Sequence, residues 1–222
     1  NAANIYPSSD TLQVRNSDVV VIAKKISSPI EVDGKLNEPI WNEQSGFNNF
    51  IQRDPDEGAS PTEKTIIKLA YDENSLYLAA KMYDSSPDSI LARLTRRDEL
   101  VDCDYITLAL DPYHDKRSGY YFSLSAAGTL IDGVLYNDTW DDDSWDGVWE
   151  GKTNVDSEGW SAEMKIPFSQ MRFNQSEDMV WGINFRRVIG RKNEEDYLVF
   201  VPKKESGVVS YFANLKGIDR KS

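Results

Sequence analysis

Apolar and polar positions alternate along most of this chain with a period of two. In YITLALD, Ile106, Leu108 and Leu110 point one way, while Tyr105, Thr107 and Ala109 point the other. GWSAEMKIPFSQMRF repeats the pattern, with Trp160, Ala162, Met164 and Ile166 set against Ser161, Glu163 and Lys165. A period of two marks a strand with one face buried. Proline has no N–H to continue a ladder, so this strand ends at Pro167 or reaches an edge there. The apolar residues then switch to a turn-like spacing through Phe168, Met171 and Phe173.

The alternation predicts strands at 19–23, 30–32, 65–71, 76–83, 105–111, 120–124, 129–136, 160–166, 181–188, 197–201 and 208–212. Turn sequences join them: DENS at Asp72, DKRSG at Asp115, AAG at Ala126 and DSEG at Asp156. A helix is predicted in SSPDSILARLTRR, with Ser86 as N-cap, Pro87 in the first turn and Ile90, Leu91 and Leu94 on one side. A shorter one is predicted in NEPIWNEQ, capped by Asn37 and anchored by a buried Trp41. Many short strands with one or two short helices predict an all-β fold, an antiparallel β-sandwich of immunoglobulin or jelly-roll type. No repeat or Pro/Gly/Ser linker divides the chain, so 19–222 reads as a single domain after a polar, irregular lead-in over 1–18.

At 222 residues, with 40% hydrophobic and 11% aromatic content, the chain can fill the core of such a sandwich. Its longest apolar run, VVVIA from Val19, is strand-sized, far short of the ~18 residues of a membrane helix. Basic residues number 25 against 37 acidic ones, which gives −12 and a pI near 4.6. Nucleic acid needs clustered bases and an anionic membrane repels this charge, so neither is an expected partner. Neutral sugars and cations remain suitable ligands. Cys103 is the only cysteine, which excludes an intrachain disulfide and reads as a small buried residue. The chain opens at Asn1 with no charged n-region or apolar h-region, as a processed product or an excised piece would.

Candidate chemistry gathers in two places. TWDDDSWDGVWE sets Trp140, Trp145 and Trp149 among Asp141, Asp142, Asp143, Asp146 and Glu150. Trp145 and Trp149 share a parity, either as core packing or as a platform for a sugar ring. Trp140, in the most polar part of the segment, is the better platform. Asp141, Asp142 and Asp143 suit a hard ion such as calcium, although runs of Asp are usually solvated loops and no EF-hand spacing is present. The second place joins RRD at 96–98, Asp102 and Asp104 with NFRRV at 184–188 and RKNEE at 191–195. Arg97 and Arg186, with Asp98 and Asn184 beside them, offer forks for sugar hydroxyls or a uronate. The alternative is an Arg–Asp network that ties strands together.

Several blocks resemble, in their order along the chain, the family 9 carbohydrate-binding modules. They are IEVDGKLNEPIWNE at Ile30, TIIKLAYDENSLYLAAKMYD at Thr65, DYITLALDPYHDKRSGYYFSLS at Asp104, GWSAEMKIPFS at Gly159, WGINFRRV at Trp181 and a closing FANLKGI at Phe212. RRDELVDCDYITLALD and SWDGVWE are similar to a bacterial branch in which the module precedes a C-terminal membrane β-barrel. The resemblance implies a β-sandwich that binds oligo- or polysaccharide without catalysis, often with structural calcium. It implies a place in polysaccharide catabolism at the bacterial cell envelope, in the periplasm or at the outer membrane, or outside the cell.

Sugar-binding members clamp a pyranose between two Trp rings. Here Leu100 and Val101 stand where the first is expected, and no Trp lies between Val201 and Phe212, where the second would fall. Ser123 and Ser125 match a strand that carries Arg and Asn in sugar binders. The expected ligand is a neutral glycan held by Trp140, Trp145, Arg97, Asp98, Ser123, Ser125, Asn184 and Arg186. Two alternatives stand beside it. One is an interaction domain that packs on the C-terminal barrel of the same parent protein and binds no sugar. The other is a haem-binding sandwich that pairs His114 with Met82, Met164, Met171 or Met179. Catalysis is not expected: His114 sits in a turn-like DPYHDKRSG, and a pair of acids among 37 carries no information.

Overall fold

A computed structural model describes residues 19–99, 101–173 and 179–219, so the expected lead-in at 1–18 and Leu100 lie outside the described residues. The elements run β1 (Val20–Ile22), β2 (Lys24–Lys25), α1 (Pro39–Asn42), β3 (Ile51–Asp54), β4 (Thr65–Tyr71), β5 (Ser75–Tyr83) and β6 (Tyr105–Asp111). They continue with β7 (Gly119–Ser125), β8 (Leu130–Tyr136), β9 (Trp140–Asp142), β10 (Glu150–Asp156), β11 (Gly159–Pro167), β12 (Trp181–Ile189), β13 (Glu194–Tyr197) and β14 (Ala213–Lys216). One sheet of nine strands has the order β1-β14-β12-β6-β7-β8-β9, with β13 and β3 added beside β12. The other, of five, has the order β10-β11-β5-β4-β2.

The core lies between the sheets and is built by the alternation. Ile106, Leu108, Leu110, Phe122, Leu124, Ile183 and Phe185 come from the larger sheet, and Leu69, Leu78, Met82, Trp160, Met164 and Ile166 from the smaller. Burying each such side chain contributes roughly 1.5–3 kcal/mol. β11 ends at Pro167, as its missing N–H requires, and the chain turns so that Phe168 packs edge-on against Trp181, 5.8 Å between centroids. A second apolar cluster covers the outer face of the five-stranded sheet, where Ile30 and Trp41 meet Ala70, Tyr77 and Ala79. There Glu163 accepts hydrogen bonds from Trp41 Nε1 at 3.0 Å and from the N–H groups of Asp33 and Gly34 at 3.0 and 2.9 Å.

Several expected elements differ. The sheets are mixed rather than wholly antiparallel, because β1 pairs with β14 and β2 with β4 in parallel. The expected strand 19–23 is shorter, 20–22, and stops at Ala23; the chain resumes just beyond it as β2, which serves the other sheet. No strand forms at 30–32, where the apolar residues cover a sheet instead of extending one. The predicted helix at Ser86 shrinks to a 3-10 turn, Pro87–Ser89. Past it the backbone is held elsewhere: Leu91 C=O accepts from Asp104 N–H at 3.0 Å, and Thr95 N–H donates to Thr129 Oγ1 at 3.2 Å. Tertiary hydrogen bonds override helix propensity there. Helix α1 starts from Glu38, not Asn37, although Trp41 is buried as expected. The strand expected at 197–201 lies earlier, as β13, and that expected at 208–212 is a 3-10 turn, Val209–Tyr211, leading into β14.

Candidate functional site

The nine-stranded sheet turns its non-core face outward, and that face holds a cleft of ≈ 440 Å³. The parity that buries Ile106 and Leu108 sends Tyr105, Thr107 and Ala109 of β6 to its floor. The same rule brings Tyr121 and Ser123 from β7, Ile131 and Leu135 from β8, and Asn184 and Arg186 from β12. Arg53 of β3 and Tyr197 of β13 wall one end, and Asp98, Thr139, Asp141 and Asp143 wall the other. The strand order therefore gives the cleft a basic end, a hydroxyl-rich middle and an acidic end.

At the basic end the Arg186 guanidinium lies over the Tyr105 ring, 5.1 Å from its centroid, and donates to the Tyr105 hydroxyl. Glu195 stands 3.9 Å from it. Arg53 lies over the Tyr197 ring at 5.9 Å and donates from Nε to the Val201 carbonyl at 3.1 Å. Burial pushes the Tyr105 and Tyr197 hydroxyls up, against the pull of Arg186. In the middle, Thr107 and Ser123 share a hydrogen bond of 2.7 Å. At the acidic end, burial and then the carboxylates of Asp141, Asp143, Asp132 and Asp98 push Tyr121 up to about 12. All three tyrosines stay neutral near pH 7 and present O–H groups that donate or accept.

Besides Asn184, the cleft gathers five of the predicted contact and metal residues on or near its rim and floor: Asp98, Ser123, Arg186, Asp141 and Asp143. Asn184 also lines it, but its amide is spent on the backbone, since Nδ2 donates to Val199 C=O and Oδ1 accepts from Val199 N–H, both at 2.9 Å. Ser125 lies outside, at 1% exposure, where its Oγ accepts from Thr129 N–H at 3.0 Å. Trp145 is half-buried, its ring 5.1 Å from Tyr120 and 6.0 Å from Phe122, and Trp149 is buried against Phe122 at 5.5 Å. Trp140 is 63% exposed but on the other side of the sheet. It pairs with Tyr136, which shares a parity with Asp132, the partner of core-facing Phe122. Cross-strand partners share a face, so Trp140 stands at the edge strand away from the cleft.

Asp141, Asp142 and Asp143 do not converge. Asp142 accepts from Ser144 N–H at 2.9 Å, while the other two line the cleft. Among the described residues, the carboxylates that do converge are Asp98, Asp132 and Asp146, and Arg97 lies among them. The Arg–Asp network of the sequence is therefore present here. It recurs where Arg191 meets Asp84, whereas buried Arg187 ties strands together through Lys64 C=O, Thr65 Oγ1 and Tyr83 C=O and bonds to no aspartate among the described residues. Met82, Met164, Met171 and Met179 are buried in the core, and His114 Nε2 lies 3.0 Å from Asn214 Oδ1.

Tyr105, Tyr121, Tyr197 and Arg53 were not singled out by the sequence. For the first two a signal exists, since each is an aromatic residue on the non-core parity of its strand. Tyr197 and Arg53 come from short strands, brought beside β12 only by long-range pairing.

Solved structures with this fold are known. A family 9 carbohydrate-binding module from Caldicellulosiruptor kristjanssonii in complex with glucose superimposes with a TM-score of 0.65 at 17% identity, over 91% of this chain and 97% of that one. The chain has the fold of family 9 carbohydrate-binding modules. The module from the same organism in complex with cellotriose gives 0.61 at 17% identity, covering 89% of this chain and 93% of that one. A candidate carbohydrate-binding protein from Bacteroides uniformis gives 0.66 at 15% identity, covering 89% and 98%. No family model and no curated protein matches the sequence.

Proposed function

We propose that this protein is a non-catalytic carbohydrate-binding domain whose saccharide lies in the cleft on the outer face of the nine-stranded sheet. One observation carries the reading: an open cleft floored by Tyr105, Thr107, Ser123 and Arg186 and flanked by Tyr121 and Tyr197, in a fold shared with modules in complex with glucose and cellotriose. Hydroxyls and a guanidinium meet sugar hydroxyls, and the half-buried rings of Tyr121 and Tyr197 offer apolar faces to the C–H side of a pyranose, while Tyr105, buried beneath Arg186, supports that guanidinium. No Trp is among the described residues that line the cleft, so Tyr121 and Tyr197 do the stacking. Asp98, Asp141 and Asp143 repel anionic chains, as does the net charge of −12, so the ligand is a neutral glycan.

Titration calorimetry with soluble neutral oligosaccharides tests this. Binding in the ~mM to ~10 μM range is expected for a shallow, exposed site, little changed by added salt. Absence of heat across a broad panel overturns the reading. One observation favours a second reading: Trp140, 63% exposed, and its partner Tyr136, 41% exposed, form an aromatic edge away from the cleft. An interaction domain that packs on a C-terminal β-barrel at the cell envelope would present such an edge. Co-purification of the parent protein's two parts, lost on Trp140→Ala, distinguishes it.

A further inference from the structure

Structural calcium is an expectation that comes with the resemblance to family 9 modules, and the side chains at the acidic cluster answer it. Among the described residues, Asp98, Asp132 and Asp146 bring carboxylate oxygens within 4.8 Å of one another. Calcium holds oxygens at about 2.3–2.6 Å, so ligands across one ion lie about 5 Å apart or less, and the spacing suits it. The centre belongs to Arg97 instead. Its Nη2 donates to Asp132 Oδ1 and, at 2.7 Å, to the Gly147 carbonyl. Its Nε lies 3.0 Å from Asp146 and 3.4 Å from Asp98. One guanidinium touches three carboxylates and a carbonyl oxygen, which is the donor set of a hard cation. A dication there would meet a fixed positive charge at contact distance.

We propose that Arg97 is a built-in cation standing in for a divalent ion: the native chain takes no calcium at this cluster, and removal of the guanidinium turns the cluster into a calcium site. Asp132 makes the counter-charge necessary, because it is fully buried and a buried carboxylate left unpaired is strongly destabilising. Burial pushes its pKa up, while the Gly147 N–H and then Arg97 act in the opposite direction. Gly147 closes the cluster by donating to Asp132 Oδ2, and Trp145 packs against its α-carbon. Asp98 belongs both to this cluster and to the cleft wall, so Arg97 is also a positioning residue for the saccharide site, a role that rests on the reading above.

The test is thermal melting of the full chain with chelator and with excess calcium, read beside calcium titration calorimetry and terbium luminescence. The native chain melts at the same temperature under both conditions and binds no calcium at the cluster. Arg97→Ala melts lower, and calcium raises it by several degrees with one ion bound. Adding Asp146→Asn to that variant abolishes the calcium effect. If Arg97→Ala does not fold alone, recovery of folded protein on refolding with calcium, and not with chelator, supports the proposal equally. An Arg97→Ala chain that calcium neither stabilises nor returns to the folded state overturns it. So does a native chain whose melting falls with chelator by an amount that Asp146→Asn removes. None of these readouts involves a sugar, so they separate this proposal from the fate of the saccharide reading.

Discussion

The phenol of Tyr121 lies over the α-carbon of Gly133, its direct partner on the neighbouring strand. A Cβ added at position 133 would stand 2.5 Å from the Tyr121 hydroxyl oxygen and 2.6 Å from the Asp142 carbonyl. The glycine thus gives the ring its place in the cleft, and the backbone of β9 closes the space behind it. Gly133→Ala is expected to displace Tyr121 or part β9 from β8. The cost is roughly 1–3 kcal/mol, as for other overpacked sites. Saccharide affinity falls with it, about tenfold if one ring contact worth about 1.4 kcal/mol is lost. Melting and calorimetry on the same preparation check both.

Arg186 is expected to matter by shape as well as charge. Its guanidinium stacks on Tyr105 and bonds to the hydroxyl of the same residue, which a point-charge ammonium cannot reproduce. Arg186→Lys should weaken saccharide binding about tenfold or more while the melting temperature moves only a few degrees. Unchanged affinity would remove Arg186 from the contact set.

Trp140→Ala is expected to leave saccharide affinity unchanged, because the side chain belongs to the face away from the cleft. An exposed substitution of this kind stays within about 0.5 kcal/mol of the native stability. Loss of sugar binding in this variant would bring the β9 edge into the site.

Asp196 sets a pH dependence. It is fully buried, and among the described residues no hydrogen-bond donor reaches either carboxylate oxygen. Burial and then the charge of Glu194 push its pKa from 3.8 up to about 7, against Arg187 and Lys192. Across that interval the folded chain holds a proton that the unfolded chain releases. Stability from this group is therefore present at low pH and lost as pH rises from about 4 through about 7. Asp196→Asn should flatten that slope and raise stability at neutral pH. A denaturation series between pH 5 and 8, identical for both chains, would contradict this.

The sandwich was legible wherever one face of a strand is buried, because Tyr105 to Asp111 and Trp160 to Ile166 write their alternation directly. β10 escaped notice for the opposite reason. Its sequence EGKTNVD is polar on both parities, and it is an edge strand held through the backbone of β11. The helix expected at Ser86 failed because Leu91 and Thr95 find hydrogen bonds to Asp104 and Thr129, which local propensity cannot foresee. The site was half visible. Arg186 and Ser123 fall on the non-core parity of strong strands, whereas the acids around Arg97 come from positions 98, 132 and 146, and only the folded topology brings them together. Tryptophan drew attention for its size, and the core claimed Trp149 and most of Trp145 for the same reason.

The break at Ala23, between β1 and β2, has a consequence for association between chains. β1 is the outermost strand beside β14 in one sheet, and β2 is the outermost strand beside β4 in the other. Ala23 itself donates its N–H to Lys216 C=O at 3.1 Å, and Ile26 donates to Tyr71 C=O at 2.8 Å. One short segment therefore acts as a seam along one side of the sandwich, occupying the outer ladder positions of β14 and β4 at once. Exposed rows of N–H and C=O groups are templates for foreign strands. A cut or truncation that releases residues 20–25 would bare two such rows together, and the expected product is a chain that adds to its own copies edge to edge.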